Sequence, residues 1–486
     1  MRFRTTTLLL VLLLTTARTT PARPVSKDTS RAAAFRAGCP KADGANLAVE
    51  LRGGELRIRF AESEGRNLRY TFRRCMFNEL FTFYEVAVEE RNTETVLNRA
   101  TSDNLGPLGI DGYGWAGANH SWREGGTVRT ARHVGVSIEA DGRCIGGDTS
   151  LRAREVTIRV ENRIFDPRMP VADSAGRAEL QTPLCTERVC YRVRENNIEV
   201  AVSHEFHNSV PATIRTYYGM QSMFCDETHT LTPDGAYADW TPQAAVSHFT
   251  KGDYPAFRRF VEKNDRAYQS SWLLPEGTGD HARLDDSDAV FIGNSYGKSY
   301  HRLLARQPVH EGDRLHWRGV YTWFTSPIAD DGELLCYEAL AGEQRVLAID
   351  CKRRCDRTVT LPGRSLRRLR TIDRHGDISI RRTGAHTLRI RCEGPASCSR
   401  GTEVLHRIGK SVDQLSDRRA DGHSRNRTAA ASATKARFAS LASSAGGILQ
   451  NLFFQYPGGG PLPFERFDID IENTPFISDA RHHTSR

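Results

Sequence analysis

Between residues 45 and 395, apolar side chains recur at alternate positions in one short run after another. Leu47, Val49 and Leu51 alternate with other residues, and Gly53-Gly54 then turns the chain into Leu56, Ile58 and Phe60. Val156, Ile158 and Val160 repeat the arrangement, as do Ile198, Val200 and Val202, and further runs lie at 80–89, 132–139, 315–324 and 385–391. A period of two places such residues on one face of a strand, and a glycine pair between two runs is a hairpin signature. Asp141-Gly142, Asp234-Gly235, Asp331-Gly332 and His375-Gly376-Asp377 mark further turns. Few stretches carry the 3.6 period of a helix. The chain is therefore expected to be mainly β, a large antiparallel β-sandwich or supersandwich followed by a small β-sandwich domain and a disordered C-terminal tail.

The ends differ from this body. Arg2 and Arg4 precede an apolar run, Leu8 to Leu14, and small residues follow, with Ala17 and Ala22 suited to signal peptidase. This is the pattern of a secretory signal, and the run is far shorter than the roughly 20 residues a bilayer span needs. A second apolar stretch of spanning length is not found, so no transmembrane segment is expected. The expected organisation is a signal peptide at 1–22, a linker at 23–44, a β-supersandwich-like domain at 45–328, a small disulfide-containing β-domain at 329–400, and a low-complexity linker and tail at 401–486. The boundary rests on Ser326-Pro327 and Asp330-Asp331-Gly332, and residues 410–445 are rich in Ala, Ser and Arg.

Export makes disulfides the first reading of the 11 cysteines. Three close pairs, Cys185/Cys190, Cys351/Cys355 and Cys392/Cys398, would each close a small loop, although spacing alone leaves the connectivity open. The odd total leaves one thiol free or bonded to another chain. Zinc would want C-x2-C pairs or nearby histidines, and these spacings are wider, so no metal or other cofactor is expected. Asn119-His-Ser and Asn426-Arg-Thr are glycosylation sequons. The formal net charge of +9 comes from basic residues spread along the whole chain, of which only eight of 68 are Lys. A solvated surface accounts for them better than nucleic acid, which an exported protein rarely meets.

The densest chemistry lies at 101–122, where five glycines are interleaved with Asp103, Asn104, Asp111, Tyr113, Trp115, Asn119, His120 and Trp122. Rings beside amide, carboxylate and imidazole groups are what a sugar site needs: rings stack on the apolar face of a pyranose and planar polar groups take its hydroxyls. The plainer alternative is a long glycine-rich loop with Trp anchors. A second cluster is Ser203-His204-Glu205-Phe206-His207-Asn208, followed by Arg215, Tyr217, Tyr218 and Gln221. If 198–207 is a strand, Glu205 and His207 share a face, with His204 opposite. A Glu/His pair lining a cleft is suited to proton transfer.

The stretch from Glu205 through Tyr217-Tyr218-Gly-Met-Gln221 resembles a strand–turn–strand of galactose-mutarotase-like β-supersandwich proteins. Gly117-Ala-Asn-His-Ser-Trp122 is similar to the Asn-His-Ser-Tyr box of aldose epimerases, and the order of motifs over about 95–225 also resembles uncharacterised β-rich proteins of bacteria and phages. The resemblance implies His120 as an acid. A partner for the family's late catalytic Glu is not found.

These readings make the chain a secreted glycoprotein that binds or processes extracellular carbohydrate. His120 and Glu205 are the catalytic candidates, and Asp103, Asn104, Trp115, Asn119, Trp122, His207, Tyr217 and Gln221 the substrate-binding ones. Convergence of Trp115, His120, Glu205 and Tyr217 in one cleft is the spatial expectation. One alternative is a non-enzymatic interaction protein binding sulfated glycans or a protein receptor. Its polyanion candidates are Arg367, Arg368 and Arg370, within an X-B-B-X-B-X run beside Lys352-Arg353-Arg354. Another is a serine hydrolase using Ser295 of Gly293-Asn-Ser-Tyr-Gly297, which requires a strand before the serine and a helix after it.

Overall fold

The computed structural model describes residues 44–403, apart from 76, 100–104, 124, 225–228, 233–240, 243–246, 295–297, 342–343 and 362–369. The signal segment, Asp103, Asn104, Ser295, Arg367, Arg368, Asn426 and the tail beyond 403 lie outside the described residues.

The glycine pair acts as expected. Gly53 and Gly54 both take positive φ, 56° and 82°, as a two-residue hairpin turn of the right twist demands. It joins Leu47–Arg52 to Glu55–Ser63 with Leu51 opposite Leu56. This hairpin belongs to a six-stranded antiparallel sheet that continues through Arg66–Cys75, Leu80–Glu90 and Thr93–Arg99. A ten-stranded sheet is centred on Arg314–Phe324, Asn197–Phe206, Pro183–Arg194 and Val156–Phe165. A third sheet has the order Ser247–Thr250, Ala289–Asn294, Lys298–Val309, Ala212–Ser222, Leu108–Ile110, Gly114–Ala116.

The ten-stranded sheet turns one face to both others. Alternate residues Val189, Tyr191 and Val193, then Val200, Val202, His204 and Phe206, are buried on that face. Phe83 of the first sheet lies 6.0 Å from Tyr191, 5.5 Å from Tyr321 and 6.2 Å from Trp323, edge-on in each case. Such pairs add about 0.5–1.5 kcal/mol each beyond their burial. On the third sheet, Tyr217 packs edge-on against His204 at 5.3 Å and accepts a hydrogen bond from Trp317 Nε1 at 2.8 Å. A Cβ at Gly219 would stand 2.1 Å from Leu303 Cδ1 on the neighbouring strand and 3.1 Å from the Trp317 ring of the ten-stranded sheet.

The outward face of the first sheet carries a charge ladder. Arg69, itself buried, contacts Glu85, Glu89 and Glu94, while Arg59 bridges Glu50 and Glu89. Arg73 covers the Tyr84 ring at 3.8 Å. Together they line an open cleft of about 260 Å³.

From Ala329 onward, the strands form two further sheets, one of five strands and one of three. They enclose Leu334, Cys336, Ile349, Cys351, Ile378, Ile390, Cys392 and Cys398. A second cluster joins them to the ten-stranded sheet: Leu335, Tyr337 and Ala348 meet Leu231, Val261 and Phe324. Beside it, Arg259 Nη2 donates to Asp350 Oδ1 at 2.5 Å, both side chains buried. The Asn197 carboxamide accepts the Leu340 amide at 3.0 Å.

Four expectations need correction. Cys185 and Cys190 lie on the single strand Pro183–Arg194, one buried in the core and the other on the opposite face. Five residues of strand separate them by roughly 16 Å, beyond the reach of a disulfide. The other two proposed pairs are also unbonded thiols. Cys392 lies opposite Cys355 across the three-stranded sheet, whereas Cys398 belongs to the five-stranded one. Around Ser295, Ala289–Asn294 and Lys298–Val309 pair antiparallel with Asn294 opposite Lys298. From Lys298 onward the chain is therefore strand, where a nucleophile elbow requires a helix.

Candidate functional site: an aromatic face on the third sheet

Ala212–Ser222 begins by alternating, with Ile214 buried and Arg215 exposed. A register shift between Ile214 and Thr216, where this strand carries one residue more than Leu108–Ile110, then reverses the alternation. Tyr217 consequently points into the core, 1% exposed, where burial pushes its phenol pKa well up. Tyr218 comes to the outer face beside Arg215. On the neighbouring strand Lys298, Tyr300 and Arg302 share this side, opposite Ser299, His301 and Leu303; Lys298 and Tyr300 are themselves buried, 8% and 7% exposed, and Arg302 is half-buried.

A continuous row of rings results. His120 lies 5.6 Å from Trp115, Trp115 5.8 Å from Tyr218, and Tyr218 4.8 Å from Tyr300, successive planes tilted by 34°, 36° and 37°. Cations flank the row: the Arg215 guanidinium lies 5.4 Å from the Trp115 ring centre and Lys298 Nζ 5.3 Å from that of Tyr300. Arg302 Nε donates to Thr216 Oγ1 at 3.0 Å, and its guanidinium lies 3.5 Å from Asp288.

Small residues make room for the platform. A Cβ at Gly109 would come within 3.1 Å of the Trp115 ring, so the indole rests on bare backbone. A Cβ at Gly106 would stand 1.4 Å from the Tyr218 carbonyl oxygen. Gln221 is fully buried beside Gly106, with no hydrogen-bond partner for its side-chain amide among the described residues.

The turn that carries His120 contains Gly117 at φ 89° and Ala118 at φ 42°, the latter in the left-handed region that a side chain disfavours. Asn78 holds it there. Its buried carboxamide donates to the Ala118 carbonyl at 2.8 Å and the His120 carbonyl at 3.1 Å, and accepts the Thr130 amide at 3.1 Å. Asn119 faces this scaffold too, its Oδ1 accepting the Phe77 amide at 2.5 Å.

Only part of the expected constellation converges. Trp115 and His120 are together, but Tyr217 is in the core and its neighbour Tyr218 takes its place on the face. Trp122 turns elsewhere, donating to the Pro167 carbonyl at 3.0 Å under Arg123. Glu205 and His207 occupy the outer face of the ten-stranded sheet, on the far side of the sandwich from Trp115. There the Arg188 and Arg314 guanidiniums, each 2.9 Å away, hold the Glu205 carboxyl down to about 2. A carboxylate so stabilised is a poor base near neutrality, and Glu205 is withdrawn as a partner for His120. His207 Nε2 and Thr186 Oγ1 are hydrogen-bonded at 2.8 Å.

Tyr300, Lys298 and Arg302 were missed by the sequence reading, as was Asn78, and Tyr218, though named in the second cluster, was not chosen as a binding candidate. Tyr300 and Arg302 do alternate in the sequence, and that signal was available. The only group of metal-ligating side chains among the described residues lies away from this face, at Cys351, Cys355 and Cys392.

No family model matches the chain, and no curated protein does. Solved structures with partial similarity include a GH36 α-galactosidase from Geobacillus stearothermophilus, at 8% identity over 57% of this chain and 41% of that one, TM-score 0.34. An α-mannosidase from Enterococcus faecalis matches at 7% identity over 62% of this chain and 37% of that one, TM-score 0.31. A protein assigned as an aldose 1-epimerase, from Klebsiella pneumoniae, matches at 9% identity over 56% of this chain and 81% of that one, TM-score 0.22. The chain thus spans about two fifths of the length of the two glycosidases. A protein of the kind resembled in the sequence is thus among these neighbours, at this low level of similarity.

Proposed function

We propose that this is an exported protein that binds extracellular carbohydrate on the outer face of the third sheet, with a preference for acidic sugars. The observation that carries the reading is the unbroken row His120–Trp115–Tyr218–Tyr300 with Arg215, Arg302 and Lys298 at its margins. Indole and phenol rings offer flat apolar surface to the C–H face of a pyranose, and phenol hydroxyls reach its oxygens. Guanidinium and ammonium groups at the edge favour uronate carboxylates or sulfate esters over neutral sugars. The leader at 1–22 supports an extracellular encounter. Binding without turnover is the form proposed, because Glu205 lies across the sandwich from His120.

The test is a glycan array on the secreted full chain, followed by calorimetry on the best acidic oligosaccharide. Trp115→Ala and Tyr218→Ala are expected to weaken binding at least tenfold. Tyr217→Phe, which alters the core, is expected to leave affinity unchanged. Equal affinity in the wild type and both alanine variants would sink the proposal.

A further inference from the structure

The strand Gln344–Cys351 ends, and Cys355–Thr360 begins, on either side of the short bend Lys352-Arg353-Arg354. Cys355 then sits directly opposite Cys392 of Thr387–Cys392. Three strands from two sheets therefore deliver three thiols to one point. Cys355 Sγ is 3.4 Å from Cys392 Sγ and 3.9 Å from Cys351 Sγ, and all three sulfurs lie within 4.8 Å of one another. All three residues are buried, within a core that includes Leu334, Leu361, Ile378, Ile390 and Ala396.

We propose that Cys351, Cys355 and Cys392 form a three-coordinate thiolate site for a soft monovalent ion, Cu(I). Donor chemistry selects the class, since an all-sulfur set in an apolar pocket suits thiophilic ions and disfavours calcium and magnesium, which take oxygen. Geometry agrees with it. A metal–sulfur bond of about 2.3 Å spaces ligand sulfurs about 3.8 to 4.0 Å apart in tetrahedral or trigonal arrangement, against the observed 3.4 and 3.9 Å. Number narrows it further. Zinc wants a fourth ligand, and the group contains three residues, none of them His, Asp or Glu.

The shape of the site gives the ion a structural task. Cys351 belongs to the five-stranded sheet and the other two cysteines to the three-stranded one, so a bound ion clamps the sheets together. Binding displaces one proton from each thiol to solvent, and no oxidation is involved. The complex of three thiolates with one Cu(I) carries two net negative charges. A disulfide, by contrast, consumes two of the three sulfurs and strands the third.

The experiment uses the full chain, reduced and held without oxygen, titrated with Cu(I) against a chromogenic chelator. Wild type is expected to take one tight equivalent and to gain a near-ultraviolet thiolate-to-metal band. Cys355→Ser and Cys392→Ser are expected to lose both. Cys336→Ser is the folding control: it alters an equally buried thiol of the same core outside the trio, and is expected to keep both. Zn(II) is the second arm, expected to bind more weakly and to be displaced by Cu(I). Retention of the tight equivalent in both cluster variants overturns the proposal, as does binding of Zn(II) alone. A Cys355–Cys392 disulfide that survives in protein secreted into copper-containing medium, found by peptide mass mapping, also overturns it.

Discussion

Replacing Asn78 by Ala tests whether the aromatic face depends on a buried scaffold. The substitution removes the donor that serves the Ala118 and His120 carbonyls and the acceptor for the Thr130 amide. Thr130 Oγ1 still donates to the His120 carbonyl, so two groups, the Ala118 carbonyl and the Thr130 amide, lose the partner Asn78 gave them. Each buried group left unpaired costs about 1–3 kcal/mol, which places the loss near 4 kcal/mol. Ala118, held at φ 42°, is then free to relax from a conformation that stores roughly 1–3 kcal/mol. That relaxation swings His120 away from Trp115. Urea unfolding followed by far-ultraviolet circular dichroism measures the first effect, and calorimetry with the acidic oligosaccharide at zero urea measures the second. Asn78→Asp, which keeps an acceptor but loses the donor, is expected to fall at least as far. A loss below about 1 kcal/mol with an unchanged m-value, or full glycan affinity in folded Asn78→Ala, would refute the reasoning.

Two further outcomes are expected. Arg259→Ala leaves the buried Asp350 carboxylate without the guanidinium it faces, at a cost of about 3–5 kcal/mol, while Arg259→Met combined with Asp350→Leu recovers most of it; a double variant no more stable in urea than the single one would count against the pair. Burial opposes ionisation of Asp330, but the Tyr268 hydroxyl at 2.7 Å and the ammoniums of Lys352 and Lys263 nonetheless hold its carboxyl at about 2. Its unfolded value is about 3.9, so its stabilising effect is complete above that pH and is lost as pH falls through about 2. Asp330→Asn should flatten the stability profile between about pH 4 and 2, and an unchanged slope in acid unfolding would exclude this role.

What was legible in the sequence was local. The hairpin at 47–60 follows from alternation and two glycines, both properties of adjacent residues. The strand over 198–207 was also legible, and Glu205 and His207 do share a face. What Glu205 meets there was not: Arg188 and Arg314 lie 17 and 109 residues away. Tyr217 was chosen over Tyr218 because strict alternation hides a bulge, and one extra residue in a strand exchanges core for surface. Asn78 gave no signal, since a lone Asn in a turn becomes a scaffold only through partners some 40 residues downstream. The Cys185/Cys190 pair misled for the same reason. Proximity along an extended strand is distance in space, and the thiol that Cys355 faces is 37 residues away.

The charge ladder on the first sheet bears on how the chain behaves among polyanions. Arg59 and Arg69 are each matched by glutamates within 3.5 Å. Beyond a screening length of about 10 Å such a surface presents almost no net potential. An Arg-rich flank thus becomes electrically quiet, hydrated and unattractive to passing polyanions. Fouling of that side by sulfated polymers is suppressed without any loss of guanidinium groups from the sequence. Under the proposed function, the face that sets Arg215 beside Trp115 is left as the place where an acidic chain gains by settling.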